Sequence, residues 1–372
     1  MHGTKILTEA DRLMTVCNSC RYCEGLCAVF PAMEMRRAFS DGDLNYFANL
    51  CHACGACYTD CQFSPPHEFN VNVPQTLAIA RAESYAAYAW PRAFAGTFAH
   101  NGLAISLIAA ASVAVFILGF AVFNDRQILF GTHSGPGAFY KLMPHNAMAA
   151  LFSAVFLYAI VALVMGVRAF WRDIGEPVGM KTDGGAIWQA IRDACELRYL
   201  DGGGAGCFNE DDRPTDRRRL YHHFTFYGFL LCFASTSVAT LYHYLLAREA
   251  PYAWWDAPVV LGTLGGIGLL IGPIGLLAER WKRDPVLVDQ QQMGMDTAFI
   301  VMLFLTSLTG MALLLLRETS AMGPLLALHL GVAFALFLTL PYGKFVHGIY
   351  RFVALVRYAR ERRAVGHSAV DE

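Results

Sequence analysis

Two runs of cysteine share one spacing. Cys17, Cys20, Cys23 and Cys27 are separated by two, two and three residues, and Cys51, Cys54, Cys57 and Cys61 repeat that pattern. Such a run suits an iron–sulfur cubane: three close thiolates hold one cluster while the fourth cysteine crosses to a second. The spacing therefore predicts two [4Fe-4S] clusters, one on Cys17, Cys20, Cys23 and Cys61, the other on Cys51, Cys54, Cys57 and Cys27. A proline commonly follows the fourth cysteine directly. Here it is delayed to Pro31 and Pro65, which leaves the ligand count unchanged. Zinc knuckles also use Cys-x2-Cys, yet a terminal x3 step repeated in two four-cysteine runs fits zinc poorly. Disulfides need an oxidising compartment. The opening MHGTKILTEADRLMTVC lacks the basic stretch, apolar core and cleavage site of a secretory signal.

Histidines form a second set. His222 and His223 open one long apolar run that closes near His243, and His329 and His347 flank another. Ionisable residues at such positions are usually functional. Two histidine pairs at two depths would suit two stacked bis-histidine b-type haems: His222 or His223 with His347 on one side, His243 with His329 on the other. His329 and His347 lie about five helical turns apart and so share a face. On the other run, His222 lies about 60° short of whole turns from His243, and His223 about 20° beyond directly opposite. His222 is the better ligand, with His223 in reserve because helix starts keep phase poorly. His145 competes on the far side and His100 on the near side, so the number of haems, one or two, stays open. The plainer alternative is interfacial histidines hydrogen-bonded at helix ends.

These donors need elements to hold them. The 372 residues are 55% hydrophobic and only 16% charged, against about 25% charged in a soluble domain, and mean hydropathy is +0.37. The composition is that of a membrane protein. A net charge of -1 gives no sign of a nucleic-acid partner. Six windows are long enough to cross a bilayer: about 101–123, 147–169, 223–246, 258–278, 297–316 and 325–346. The fourth is glycine-rich, which suits close helix packing. An even number of spans puts both termini on one side, and 25 of the 29 Lys and Arg fall there. The positive-inside rule makes that side cytoplasmic, in the inner membrane, with the cysteine-rich head in the reducing compartment.

The expected architecture is all-α: a helical two-cluster ferredoxin-like head over 1–95, a six-span domain over 96–352 with a cytoplasmic loop at 170–221, and a tail over 353–372. Within the head, 31–39 and 44–50 read as helices separated by a break at Ser40-Asp41-Gly42-Asp43. Residues 75–90 read either as a helix arriving at the bilayer or as a core helix of the head. Gly202 to Gly206 has no βαβ unit around it and reads as a flexible turn, not a dinucleotide loop. Cys195 and Cys207 read as ordinary thiols, and Cys232 as a small apolar residue.

At this point a resemblance enters. The double cysteine run, LRYLDGGGAGCF (Leu197 to Phe208), LYHHFTFYGFLLCFASTSVATLYH (Leu220 to His243) and LPYGKFVHGIYRF (Leu340 to Phe352) resemble the tricarballylate/citrate utilisation protein B family over nearly the whole chain. The resemblance implies a membrane iron–sulfur and b-haem protein that reoxidises the reduced flavin of an FAD-dependent tricarballylate/citrate-type dehydrogenase and passes electrons to the quinone pool. It supports the eight cysteines and the histidines at the ends of spans three and six. A related arrangement serves a cobalamin-pathway oxidoreductase, so another flavoprotein partner stays open. No Ser/His/Asp set or paired carboxylates mark organic-acid chemistry in this chain. Arg36, Arg37 and the basic 170–221 loop are candidates to steer an acidic partner. A haem-free iron–sulfur anchor or sensor is a second reading. A six-span carboxylate transporter is a third, which gives no reason for eight cysteines.

Overall fold

The computed structural model describes residues 2–175, 184–211 and 213–368. Its head is built from five helices: α1 (Lys5–Cys20), α2 (Val29–Glu34), α3 (Asp41–Leu50), α4 (Ala56–Thr59) and α5 (Val73–Tyr88). Thr4 caps α1, its Oγ1 accepting from the Leu7 amide at 3.3 Å, and Arg21 ends it in the left-handed region at φ 56°. Ser40 to Asp43, expected as a break, is instead a helix start. Ser40 and Asp43 form a reciprocal capping box that opens α3, which satisfies two otherwise orphaned backbone donors. Helix α5 answers both readings of 75–90: Val73, Leu77 and Ala80 are buried in the head core, while Tyr85 and Tyr88 at its end pack on Tyr350.

Six helices are long and apolar enough to cross a membrane. They are α6 (Asn101–Phe123), α8 (His145–Ile174), α10 (Arg217–Leu246), α11 (Ala257–Trp281), α12 (Met293–Leu316) and α13 (Met322–Thr339), with short α7 (Arg126–Leu129) and α9 (Gly184–Cys195) between spans. Glycine brings α10 and α11 together. A Cβ on Gly265 would lie 2.8 Å from Cys232 N, and one on Gly268 2.9 Å from the Phe224 carbonyl. Only glycine permits such backbone approach. Cys232 is thus a packing partner of that seam.

The sixth span is shorter than expected. It stops at Thr339; a 3-10 turn over Leu340–Tyr342 follows, and the chain restarts as α14 (Val346–Ser368). Pro341 lacks an amide proton and Gly343 is extended, so the helical ladder cannot run through. This corrects the phase argument, because His329 and His347 are on different helices. Asp296 fastens the joint, its carboxylate meeting Arg280 and Lys344 at 2.7 Å each.

Helix α14 is no loose tail. It packs along the head, where Arg357 bonds Asp43 at 3.1 Å and Glu361 at 2.9 Å, Tyr46 Oη donates to Glu361 at 3.0 Å, and Arg36 pairs with both acids. Arg36 is therefore spent inside the fold and is not a docking cation; Arg37 beside it is exposed. One apolar core joins head and bundle, running from Leu13, Phe30 and Phe47 to Phe170, Tyr350 and Leu355.

Candidate metal centres

Helix α1 delivers Cys17 and Cys20 on its last turn, the following turn delivers Cys23, and Cys61 comes from the far end of α4. These four thiols line one cavity of about 260 Å³ together with Phe63 and Asp60. Burial first, then the charges of Cys23, Cys61 and Cys20, push the Cys17 thiol up to about 12. Cys23 rises to about 12 through burial, Cys61, Cys20 and Asp60. Left to themselves these groups stay protonated; a bound metal deprotonates such thiols outright. Among the described residues no group of three or more His, Cys, Asp or Glu converges to hold a single metal ion. The thiols surround a volume, which suits a cluster better than a zinc ion with sulfur at about 2.3 Å.

The second quartet lies deeper. Cys27 is raised well above its ordinary value by burial and then by Cys54 and Cys51. Cys57 is raised by burial and then by Cys54, Cys27 and Cys51, with Cys23 also within reach. The chain thus gathers Cys27, Cys51, Cys54 and Cys57 into one group beside the first. Ala53 adopts a left-handed φ of 48°, costly for a residue with a Cβ, and its amide donates to Cys51 Sγ at 3.3 Å. Amide hydrogen bonds to sulfur are one lever on cluster potential.

The glycine run expected as a flexible turn closes over this quartet. A Cβ on Gly202 would sit 3.8 Å from Cys54 Sγ, and one on Gly203 3.0 Å from Leu26. Both glycines have positive φ, which a side chain would strain. The run is anchored by the Phe208 amide, which donates to the Cys54 carbonyl at 2.9 Å. Cys207 follows the run and is buried, its thiol donating to the Leu200 carbonyl at 3.4 Å.

Behind the second quartet lies a seat of four arginines that sequence reasoning missed. Arg81 donates to the Cys51 carbonyl at 2.5 Å, Arg351 to Cys51 at 2.8 Å and Asn49 at 3.3 Å, Arg218 to Ala53 at 3.1 Å and His52 at 3.3 Å, and Arg283 to Ala53. They come from α5, α14, α10 and the loop after α11, so no local motif announces them. His52 sits among them, 8% exposed, with Nδ1 buried and unpartnered. Burial, then Arg351, Arg218 and nearby His222, hold it well below the usual histidine range. Its one sequence signal was its place inside the second cysteine run.

His222 and His347 meet on the far side of this seat, with ring centroids 6.0 Å apart and planes at 72°. Two imidazoles sharing one metal at about 2 Å per nitrogen have centroids about 6 Å apart, so the pair fits a bis-histidine haem. His347 Nδ1 bonds the Lys344 carbonyl, which leaves Nε2 as the ligand atom. Burial and then Arg351 and Lys344 keep His347 neutral, the ligating form. His223 instead stacks on Tyr227 at 5.9 Å, and His100 is exposed.

The far side differs from expectation. His243 does not meet His329. It stacks face to face on His145 at 3.6 Å and 18°, with Tyr140 edge-on to both. His329 turns towards α12, its Nδ1 3.0 Å from Thr309 Oγ1, over the space where Gly310 lacks a Cβ. Parallel rings in contact leave no room for an iron between them, so this arrangement does not fit a second haem.

Comparison with known proteins adds lineage to this geometry. Residues 97–368 match the family model described as Citrate utilization protein B, and residues 10–87 match the Citrate utilization protein B Fer4-like domain. Citrate utilization protein B of Escherichia coli is 52% identical over 364 residues, covering 96% of this chain and 94% of the relative. No solved structure matches the chain.

Proposed function

The chain belongs to the citrate utilization protein B family, and from that premise we propose that it is a membrane electron carrier. It reoxidises the reduced FAD of a separate tricarballylate/citrate-type dehydrogenase through two [4Fe-4S] clusters and one b-type haem, and delivers the electrons to membrane quinone. The observation that carries the reading is a succession: Cys57 of the second quartet also lines the cavity of the first, and Arg351, one helical turn beyond His347 on α14, bonds the Cys51 carbonyl of the second.

Bound to these residues, the clusters and haem carry single electrons and so divide the two-electron oxidation of a flavin. The chain's own groups do the rest. Cys17, Cys20, Cys23 and Cys61 hold one cluster near the surface, beside Tyr22, which is 73% exposed and marks where the flavoprotein docks. Cys27, Cys51, Cys54 and Cys57 hold the other, and Gly202 and Gly203 keep water from it. His222 and His347 ligate the haem, and Lys344 fixes the tautomer of His347. The excess of basic residues on the head's side supports a cytoplasmic head in the inner membrane.

The test is a visible spectrum of the purified protein, oxidised and then reduced, with haem, iron and acid-labile sulfide counted. The expected result is b-type bands and about eight irons per chain beyond haem. A spectrum without b-type bands sinks the haem assignment, and iron far below that count sinks the two clusters.

A further inference from the structure

The arginine seat poses a charge problem. Arg81, Arg218, Arg283 and Arg351 are partly buried, and among the described residues none has a carboxylate partner. Their hydrogen bonds go to carbonyl oxygens of residues 48–53, with Cys207 Sγ 4.0 Å from Arg218. Cations withdrawn from water without an anion are costly, and four together repel one another. The anion they face is the one a thiolate-bound cluster would bring: Arg81 and Arg351 bond the backbone of Cys51, a ligand of the second quartet. The first quartet has the opposite setting. Asp60 lines its cavity beside the four thiols, and among the described residues no arginine does.

Reducing a thiolate-bound cluster adds one negative charge, so nearby cations favour the reduced form and nearby anions oppose it. We propose that Arg81, Arg218, Arg283 and Arg351 make the Cys27/Cys51/Cys54/Cys57 seat the higher-potential of the two, while Asp60 holds the Cys17/Cys20/Cys23/Cys61 seat lower. This rests on the iron–sulfur reading above. It gives the succession a direction, inward from the exposed quartet, set by charge on the protein rather than by cluster type.

The experiment is a redox titration of the full-length protein followed by electron paramagnetic resonance. Wild type is expected to give two signals with separate midpoints. Arg351→Gln should shift the reduced-to-oxidised ratio of the higher-potential signal about tenfold towards oxidised, a 59 mV fall for one electron. Arg351→Lys, which keeps the charge, should restore it. Asp60→Asn should raise the lower-potential signal alone. If Arg351→Gln loses iron, Arg81→Gln decides by the same readout, since it leaves the Arg351 bonds intact. Coincident midpoints, arginine changes that move the lower signal, or midpoints unmoved at full iron content overturn the proposal. A wild-type protein without iron or labile sulfide overturns the functional reading itself.

Discussion

His222 of α10 and His347 of α14 oppose each other at 6.0 Å between ring centroids, although 125 positions separate them in the chain. His347→Ala and His222→Ala should therefore each abolish the b-type spectrum while iron and labile sulfide stay near the wild-type count. His223→Ala should keep its haem. A His347→Ala protein with full haem content refutes the assignment.

Haem content should be close to one per chain. His145 and His243 stack too closely to share an iron, so His243→Ala is expected to leave the haem-to-protein ratio unchanged. A ratio of two that falls to one in His243→Ala would show that the far side also binds haem.

Gly203 closes the loop over the second thiol quartet with φ at 76°. Gly203→Val adds strain of about 1–3 kcal/mol and pushes on Leu26. The expected outcome is cluster bleaching in air several-fold faster than wild type, read as loss of visible absorbance. Equal bleaching rates would mean the loop does not shield the quartet.

Asp43 joins the head to α14. Burial raises its pKa, but hydrogen bonds from Ser40 and Arg36 outweigh this and leave it below the ordinary 3.8. A depressed carboxylate stabilises the fold fully above its unfolded pKa and loses that stability as pH falls through the folded value. Docking should hold at pH 6 and weaken below about pH 4. Asp43→Asn should cost about 1.5–3 kcal/mol at neutral pH, because Arg36 and Arg357 lose one carboxylate and keep the other, Glu361. Proteolysis between head and bundle, followed against pH, measures both; cleavage as slow in the Asp43→Asn protein as in wild type counts against the joint.

Local chemistry was legible in the sequence and assembled chemistry was not. The cysteine spacing announced the two runs because each is local in the chain, and hydropathy marked all six spans because each is continuous. The all-helical architecture and the family resemblance both stood. The helix break at Pro341 and Gly343 was hidden inside an apolar run, so phase counted through it from His329 to His347 misled. The arginine seat was invisible because its members come from four elements, and the approach of Gly202 to Cys54 and of Gly203 to Leu26 depends on how distant segments meet. The stacking of His145 on His243 depends on how α8 and α10 meet, which no periodicity encodes.

Helix α14 carries the proposed haem ligand His347, a cation of the seat in Arg351 and the acid Glu361 that bonds Arg36 and Tyr46 of the head. All three lie beyond the sixth span in chain order. Under the proposed haem assignment, head closure and haem capture wait for α14, which follows all six spans in the chain. A chain ending at Phe345 should insert in the membrane yet retain neither haem nor a protease-resistant head.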